Sequence, residues 1–323
     1  MIGYYVHHVG QGHAHRALAV ADHLPGPVTG LSSLPRPPSW RQDWVVLPRD
    51  DDGEQPDDPT AGGALHWAPR HDRGLQGRMA VLAGWLAEHD PAVLVSDLSV
   101  EVVVLARLFG IPVVTVALPG KRDDAAHQLG YDLADAIIAP WPRLDRRMCV
   151  GLDRHGAKVH YLGGLSRFDR RAPEPSAARS GHHVLDFGGA GGGGPTRGRT
   201  RTTAEWHWTV RGPGQWTNDP WPDLCSADVV VTHCGLGALS DIAAARRPAV
   251  LLPEHRPHDE QFSTARAIAA AGLAVVLERE PSPAQWPKIL ARALDFEGAA
   301  WAAWSSGDAA QRAAAAIAEV ASA

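Results

Sequence analysis

The stretch Val229-Val230-Val231-Thr232-His233-Cys234-Gly235-Leu236-Gly237-Ala238-Leu239-Ser240-Asp241 passes from a β-branched run through a glycine-bearing turn into a helical segment. A second passage follows: Pro248-Ala249-Val250-Leu251-Leu252-Pro253, a polar turn, and a helix opened by His258-Asp259-Glu260-Gln261. Short continuous apolar strands alternating with helices mark a parallel sheet covered on both faces. A helix that begins directly after Gly235 offers unbonded N–H groups, and its dipole favours a diphosphate there. Asp241, one turn further on, is placed to take both hydroxyls of a ribose, as an acid does in other nucleotide sites. Glu260 and Gln261, at the neighbouring strand end, are placed to hydrogen-bond sugar hydroxyls.

Working outward, the same alternation occurs twice. Strands are expected at 183–187, 206–210, 229–232, 249–252 and 273–277, and an earlier set at 2–6, 93–96, 113–116, 136–139 and 159–162. Helices are expected between them, at 13–23, 99–109, 236–245 and 259–271 among others. The Pro- and Ala-rich segment 166–181 separates the sets and reads as a linker. The expected fold class is α/β, with two doubly wound, Rossmann-like domains facing across a cleft. Residues 1–165 would form one domain and 166–323 the other, with the last helix packing back on the first. Residues 48–73 are acidic and turn-rich and read as a long surface loop. Residues 298–323 read as helical, anchored by Trp301 and Trp304.

Composition narrows the function. With 323 residues, the chain suits two domains of about 150 residues each. Lys+Arg 31 against Asp+Glu 36 leaves a formal charge of −5, with no basic surplus for nucleic acid. Three cysteines without CxxC spacing point away from a disulfide framework or a cysteine–zinc site. The start, MIGYYVHHVG, lacks the basic-then-apolar pattern of a secretory signal, and the most apolar stretch, 92–120, carries Asp97, Glu101 and Arg107. The expectation is a cytoplasmic protein without a transmembrane segment. A peripheral membrane contact through surface apolar residues stays open, although no basic amphipathic segment demands it.

Three further segments carry chemistry. Gly10-Gln11-Gly12-His13-Ala14-His15-Arg16-Ala17 follows a strand and opens a helix, so its glycines allow a sharp turn beside a ligand and His13 sits at the helix start. Asp97 closes the strand 93–96. From a neighbouring strand it would accept a hydrogen bond from one nitrogen of His13 and leave the other as a general base. Its plainer reading is a cap for the helix near Ser99. Gly188, Gly189 and Gly191 belong to a glycine run that offers unhindered N–H donors to phosphate, or else a flexible loop. Arg16 suits either a phosphate contact or a surface ion pair. No metal is expected: His7, His8, His13 and His15 lack a matching carboxylate cluster, and Asp50-Asp51-Asp52 reads as a solvated face. Cys234 reads as a packing residue, and Trp67 and Trp85 as core or as the wall of an acceptor groove.

Taken together, GxGHxxRA, the strand-end acid, the glycine loop, THCGxGxxxD and PxxxxHDEQ resemble the GT-B glycosyltransferases. Among these they are most similar to the family 28 type that includes the peptidoglycan N-acetylglucosaminyltransferase. The likeness spans about residues 1–294, and its strongest part is 233–261. The resemblance implies a nucleotide-diphosphate sugar as co-substrate, uridine-based by default, and no further cofactor. That donor would be held mainly by the second domain and an unidentified acceptor by the first, with inverting transfer and no bound metal. It further implies His13 as base, Asp97 as the acid orienting it, and Arg167 as a phosphate-binding residue. Gly12, Gly188, Gly189, Gly191, His233, Gly235 and Gly237 would line the donor, with Asp241, Glu260 and Gln261 on its ribose and sugar. Asp241 stands where the family usually has Glu, and Thr264 where Asn is frequent. Two rival readings remain: a nucleotide-sugar hydrolase or 2-epimerase on the same fold, and a non-catalytic nucleotide-sugar-binding protein.

Overall fold

The structure is a computed structural model that describes residues 1–51, 56–173, 181–188, 205–215, 217 and 219–323. The chain divides into two compact units. The first comprises Met1–Ala139, Val150–Leu162 and Ala310–Ala323; the second comprises Pro140–Cys149 and Gly163–Ala309.

The first unit contains β1 (Ile2–Tyr5), α1 (Gln11–Ala21), β2 (Val28–Ser32), β3 (Asp43–Val46), α2 (Arg73–His89), β4 (Val93–Ser96), α3 (Val100–Leu108) and β5 (Val113–Val116). There follow β6 (Gly120–Lys121), α4 (Ala125–Leu133) and β7 (Ala136–Ala139), then β8 (Cys149–Val150) at the border of the units and β9 (Val159–Tyr161). Seven of these strands form one sheet in the order β3-β2-β1-β4-β5-β7-β9, every pair parallel, while β6 and β8 pair separately. The order reverses direction beside β1, so β1 and β4 flank the switch point, where open α/β sheets place their ligands beyond the strand carboxyl ends. Tyr5, Leu31, Leu82, Trp85, Leu94 and Val103 form the core under α2 and α3. That is why β1 and β4 read as unbroken apolar runs. Trp85 is thus core.

The second unit contains β10 (His182–Phe187), β11 (Trp206–Arg211), α5 (Trp221–Ser226), β12 (Val229–Thr232), α6 (Leu236–Ala245), β13 (Ala249–Leu251), α7 (Glu260–Ala270), β14 (Val275–Val276) and α8 (Trp286–Leu294). The strand order is β11-β10-β12-β13-β14, again wholly parallel, with the switch point between β10 and β12. Val184, Val229, Val231, Val250, Trp206 and Trp286 fill the core. Each unit is a doubly wound, Rossmann-like sheet.

Several segments differ from their sequence reading. The stretch 298–323 is not one helix: a 3-10 turn at Gly298–Ala303 ends on buried Trp301 and Trp304, and α9 (Ala309–Ala321) follows. Trp301 Nε1 donates to Arg247 O at 2.8 Å. Arg312 of α9 donates to the carbonyls of Tyr161 and Leu162, at 2.8 and 3.1 Å, where β9 ends. The stretch read as a linker opens with buried Ser166 and Phe168, because polar and aromatic side chains there find partners in the second unit. Among the described residues no helix is long and apolar enough to cross a membrane.

Two glycines of α2 sit in opposite surroundings. A Cβ on Gly74 would lie 2.0 Å from the backbone oxygen of Arg49, which cannot swing aside, whereas a Cβ on Gly84 meets nothing within 4 Å. The same substitution should therefore change sign along one helix. Gly74→Ala is expected to destabilise by about 1–3 kcal/mol through overpacking. Gly84→Ala should stabilise by about 0.5–1 kcal/mol through helix propensity. Urea denaturation midpoints of the two variants check both.

Candidate active site

In the first unit the site is built where β1 and β4 end. Gly10 has φ 91°, a left-handed conformation only glycine adopts freely, and this turns the chain sharply from β1 into α1. His13 then falls in the first turn of α1. Asp97 follows β4 directly: its N–H donates to Tyr5 O at 3.1 Å, and Leu98 closes a three-residue turn by donating to Ser96 O at 3.2 Å. Leu98 has φ 77°, a strained conformation for a bulky residue and a common mark of functional turns. Ser99, not Asp97, caps α3 by accepting from Val102 N. The acid is therefore spared for another partner.

That partner is His13, whose Nδ1 lies 3.1 Å from Asp97 Oδ1. The structure adds a third member. Arg16, one turn along α1, is buried, and its Nε donates to Asp97 Oδ2 at 3.1 Å while its Nη2 donates to Oδ1 and Oδ2 at 2.7 and 3.0 Å. Arg16 is thus neither a surface ion pair nor exposed to a phosphate. Helical spacing of three residues sets it beside His13 on the face turned toward β4. Asp97 has no solvent exposure. Burial opposes its ionisation, but Arg16 and then His13 outweigh that and hold the carboxyl well below the ordinary range. Nδ1 of His13 also lies 2.9 Å from Arg16 Nη2, so it faces an acceptor and a donor at once. With its proton directed to Asp97, Nε2 carries the free lone pair of a base; with Nδ1 accepting from Arg16, Nε2 becomes a donor. His7, packed beside both His8 and His13, is held down to about 4 by burial and its two neighbouring imidazoles and stays neutral. A Cβ on Gly12 would meet nothing within 4 Å, so the space beside the first turn of α1 is open.

In the second unit the switch point carries Gly188 at the end of β10 and His233 at the end of β12. Gly188 N donates to Arg211 O at 2.7 Å. Gly189 and Gly191 lie outside the described residues. His233 Nδ1 accepts from Gly235 N at 2.9 Å, which places its proton on Nε2 as a donor. Gly235 has to be glycine here, because a Cβ would lie 2.6 Å from the His233 ring. Among the described residues no side chain caps the N-terminus of α6. A Cβ on Gly237 would meet nothing within 4 Å.

Two of the remaining residues are bonded into the frame of the second unit. Asp241, buried in the second turn of α6, accepts from Ser166 Oγ at 2.7 Å and from Arg167 Nε at 3.1 Å. Burial pushes its carboxyl up to about 6 despite both partners. Gln261 is buried, and its Oε1 accepts from Cys234 N and Glu254 N, each at 3.0 Å. His258 and Asp259 both adopt left-handed backbone, φ 61° and 56°, to swing half-buried Glu260 into the first position of α7.

Two further clusters combine histidine with carboxylate among the described residues: His66, Asp124 and His127, and His8, Asp50 and Asp51. In the first, Arg122 Nη1 lies 3.1 Å from His127 Nε2 and fixes it as an acceptor, so Nδ1 carries the proton and donates to Asp124 at 2.6 Å. In the second, Arg78 is buried against Asp50 at 2.9 Å and donates to Tyr5 Oη at 2.9 Å. Both are charge networks organised by a buried arginine.

No family model matches the chain, and no curated protein does. Solved structures do. The glycotransferase of kitacinnamycin is similar with a TM-score of 0.65 at 16% identity, covering 99% of this chain and 98% of that one. MurG of Acinetobacter baumannii gives 0.63 at 16% identity over 98% and 99% of the two chains. The spinosyn rhamnosyltransferase SpnG gives 0.60 at 16% over 95% of each. The chain has the GT-B fold. At this identity the likeness establishes architecture over the full length and leaves chemistry to the site residues.

Removing the acid's charge tests the first constellation. Asp97→Asn leaves the Arg16 guanidinium buried without a counter-charge and should cost about 3–5 kcal/mol. The folded-state carboxyl is depressed, so ionised Asp97 stabilises the protein above the unfolded carboxylate value of about 3.9, and the contribution is lost as pH falls. The stability gap between wild type and variant should accordingly be full at neutral pH and shrink under acid, as read from denaturant midpoints at several pH values.

Proposed function

We propose that the chain is a glycosyltransferase that moves a sugar from a nucleotide-diphosphate donor, UDP-sugar being the expected one, to an acceptor hydroxyl. Transfer would invert the anomeric carbon, and protein groups rather than a metal ion would carry the charge of the leaving diphosphate. The observation that carries this reading is His13 Nδ1 at 3.1 Å from a fully buried, ionised Asp97 at the switch point of the first sheet. A base needs that support, because the imidazolium formed when it takes a proton must be stabilised in place.

In the proposed step, His13 Nε2 takes the proton of the acceptor hydroxyl as its oxygen forms a bond to the anomeric carbon. The bond from that carbon to the diphosphate oxygen breaks, and the diphosphate leaves with the electron pair. The second unit supplies donors for the charge that develops: the N-terminus of α6, His233 Nε2–H and Arg167. Glu260, at the start of α7, is assigned to the hydroxyls of the donor sugar. The full-length GT-B architecture supports a two-substrate reaction of this class, and neighbours on that fold include a UDP-glucosyltransferase from Polygonum tinctorium.

His13→Ala should lower sugar transfer by about 100-fold or more, the range expected for loss of a general base, while nucleotide-sugar binding stays unchanged. The measurement is a thermal-shift panel of nucleotides and nucleotide sugars, followed by product analysis with the donor that raises the melting temperature. Free sugar or an epimer released without acceptor would instead identify a hydrolase or 2-epimerase. A donor that binds and never turns over would identify a binding protein.

A further inference from the structure

We propose that Asp241 is a positioning residue that aims Arg167 at the diphosphate, and that it does not hold the ribose. The inference rests on the reading of the second unit as a nucleotide-diphosphate site and reassigns one acid within it.

The carboxylate has no face left for a sugar. Asp241 is 5% exposed, and Leu239, Ser240, Ile242 and Ala243 around it on α6 are buried too. Each oxygen is engaged: Oδ1 by the Ser166 hydroxyl at 2.7 Å, Oδ2 by Arg167 Nε at 3.1 Å. Ser166 is itself buried and fixed, because its Oγ also accepts from Phe168 N at 3.0 Å and its N–H donates to Asp169 Oδ2 at 3.1 Å. For a ribose to reach Asp241, both bonds would have to break inside packed protein, with the full desolvation penalty of the groups released.

The guanidinium, by contrast, is arranged for an external partner. Arg167 is exposed, and its tether to Asp241 uses only Nε, while Nη1 and Nη2 take no partner among the described residues. A second restraint holds the plane of the fork: Cζ lies 4.8 Å from the centroid of the Phe168 ring, and Phe168 is buried against Trp221, centroids 5.0 Å apart. An arginine clamped at Nε and stacked on an aromatic ring presents its two outer nitrogens as a preformed pair, the geometry that recognises phosphate oxygens. Asp241 sits about one and a half turns along α6 from the free N–H groups at the helix start. The same helix therefore carries the dipole end that favours an anion and the carboxylate that anchors the arginine.

The test is calorimetric titration of the full chain and its variants with UDP, with uridine, and with UDP lacking both ribose hydroxyls. If Asp241 positions Arg167, Asp241→Asn weakens UDP about tenfold or more and leaves uridine affinity unchanged. It also preserves whatever preference wild type shows for the intact ribose. Arg167→Ala gives a loss of similar size, and the double variant loses little more than either single one. Ser166→Ala, which frees one carboxylate oxygen and keeps the charge, guards against misfolding of the asparagine variant and should weaken UDP, not uridine, by a smaller factor. The proposal is overturned if Asp241→Asn abolishes the preference for the intact ribose or weakens uridine as much as UDP. Wild type binding none of UDP, TDP, GDP or ADP would remove the nucleotide reading itself, and this proposal with it; ribose discrimination lost in a wild-type-competent site removes this proposal alone.

Discussion

A carboxylate with no solvent exposure, Asp97, sets the terms for the first unit. An ion taken out of water costs several kcal/mol unless good geometry returns it. Arg16 supplies that geometry with three charge-assisted bonds from one helical turn. The sheet determines where the carboxylate lies, since Asp97 extends the β1–β4 ladder by its own N–H to Tyr5 O. The helix determines where the guanidinium lies, and His13, three residues before Arg16, necessarily comes with it. Position 13 therefore owes its orientation to an ion pair of which it is only the third member. Arg16 also changes the charge balance. Asp97 and Arg16 sum to zero, so protonating His13 creates a net positive charge, whereas an isolated histidine–aspartate pair would become neutral.

The second unit applies the same device with a different outcome, and the bond count explains the difference. Asp97 receives three bonds from a guanidinium and one contact from an imidazole, and its ionised form wins against burial. Asp241 receives one guanidinium bond and one from a neutral hydroxyl, and burial prevails, which holds its carboxyl up at about 6. Asp97 faces two groups that favour its charged form electrostatically, Arg16 and His13, and Asp241 only one, Arg167, so similar burial gives opposite shifts. The consequence for Arg167 is that only one of its donors is consumed, whereas Arg16 is committed to Asp97 and His13.

Much of this was legible in the chain. The buried central strands of both units follow from continuous Val, Ile and Leu runs, since a strand covered on both faces has no polar side to alternate with. Internal β2 and edge strand β3 were not legible: Val28–Ser32 contains Thr, Gly and Ser, and Asp43–Val46 is partly exposed, so neither shows a run. His13 and Asp97 were readable as a pair because both close or follow strands that neighbour each other in a doubly wound order. Arg16 was misread, because nothing local distinguishes a helix arginine that faces a buried acid from one that faces water; the distinction lies 81 residues away. The role of Ser166 was hidden in the same manner, inside a segment whose proline and alanine content resembles a linker.

Gln261 shows why residue type at a motif position does not by itself fix a role. Its side-chain oxygen accepts the N–H groups of Cys234 and Glu254, joining the chain beyond β12 to the chain beyond β13. Those segments leave a parallel sheet at adjacent strand ends, where ladder bonding stops and N–H groups would be orphaned. A glutamine at the start of α7 supplies the acceptor, and it can do so only because His258 and Asp259 take left-handed backbone and rotate the first turn of α7 inward. The strain of two such residues, of order 1–3 kcal/mol each, is offset by bonds that would otherwise be missing. The helical geometry of that turn thus gives Gln261 a framework role, closing the sheet end where ladder bonding stops.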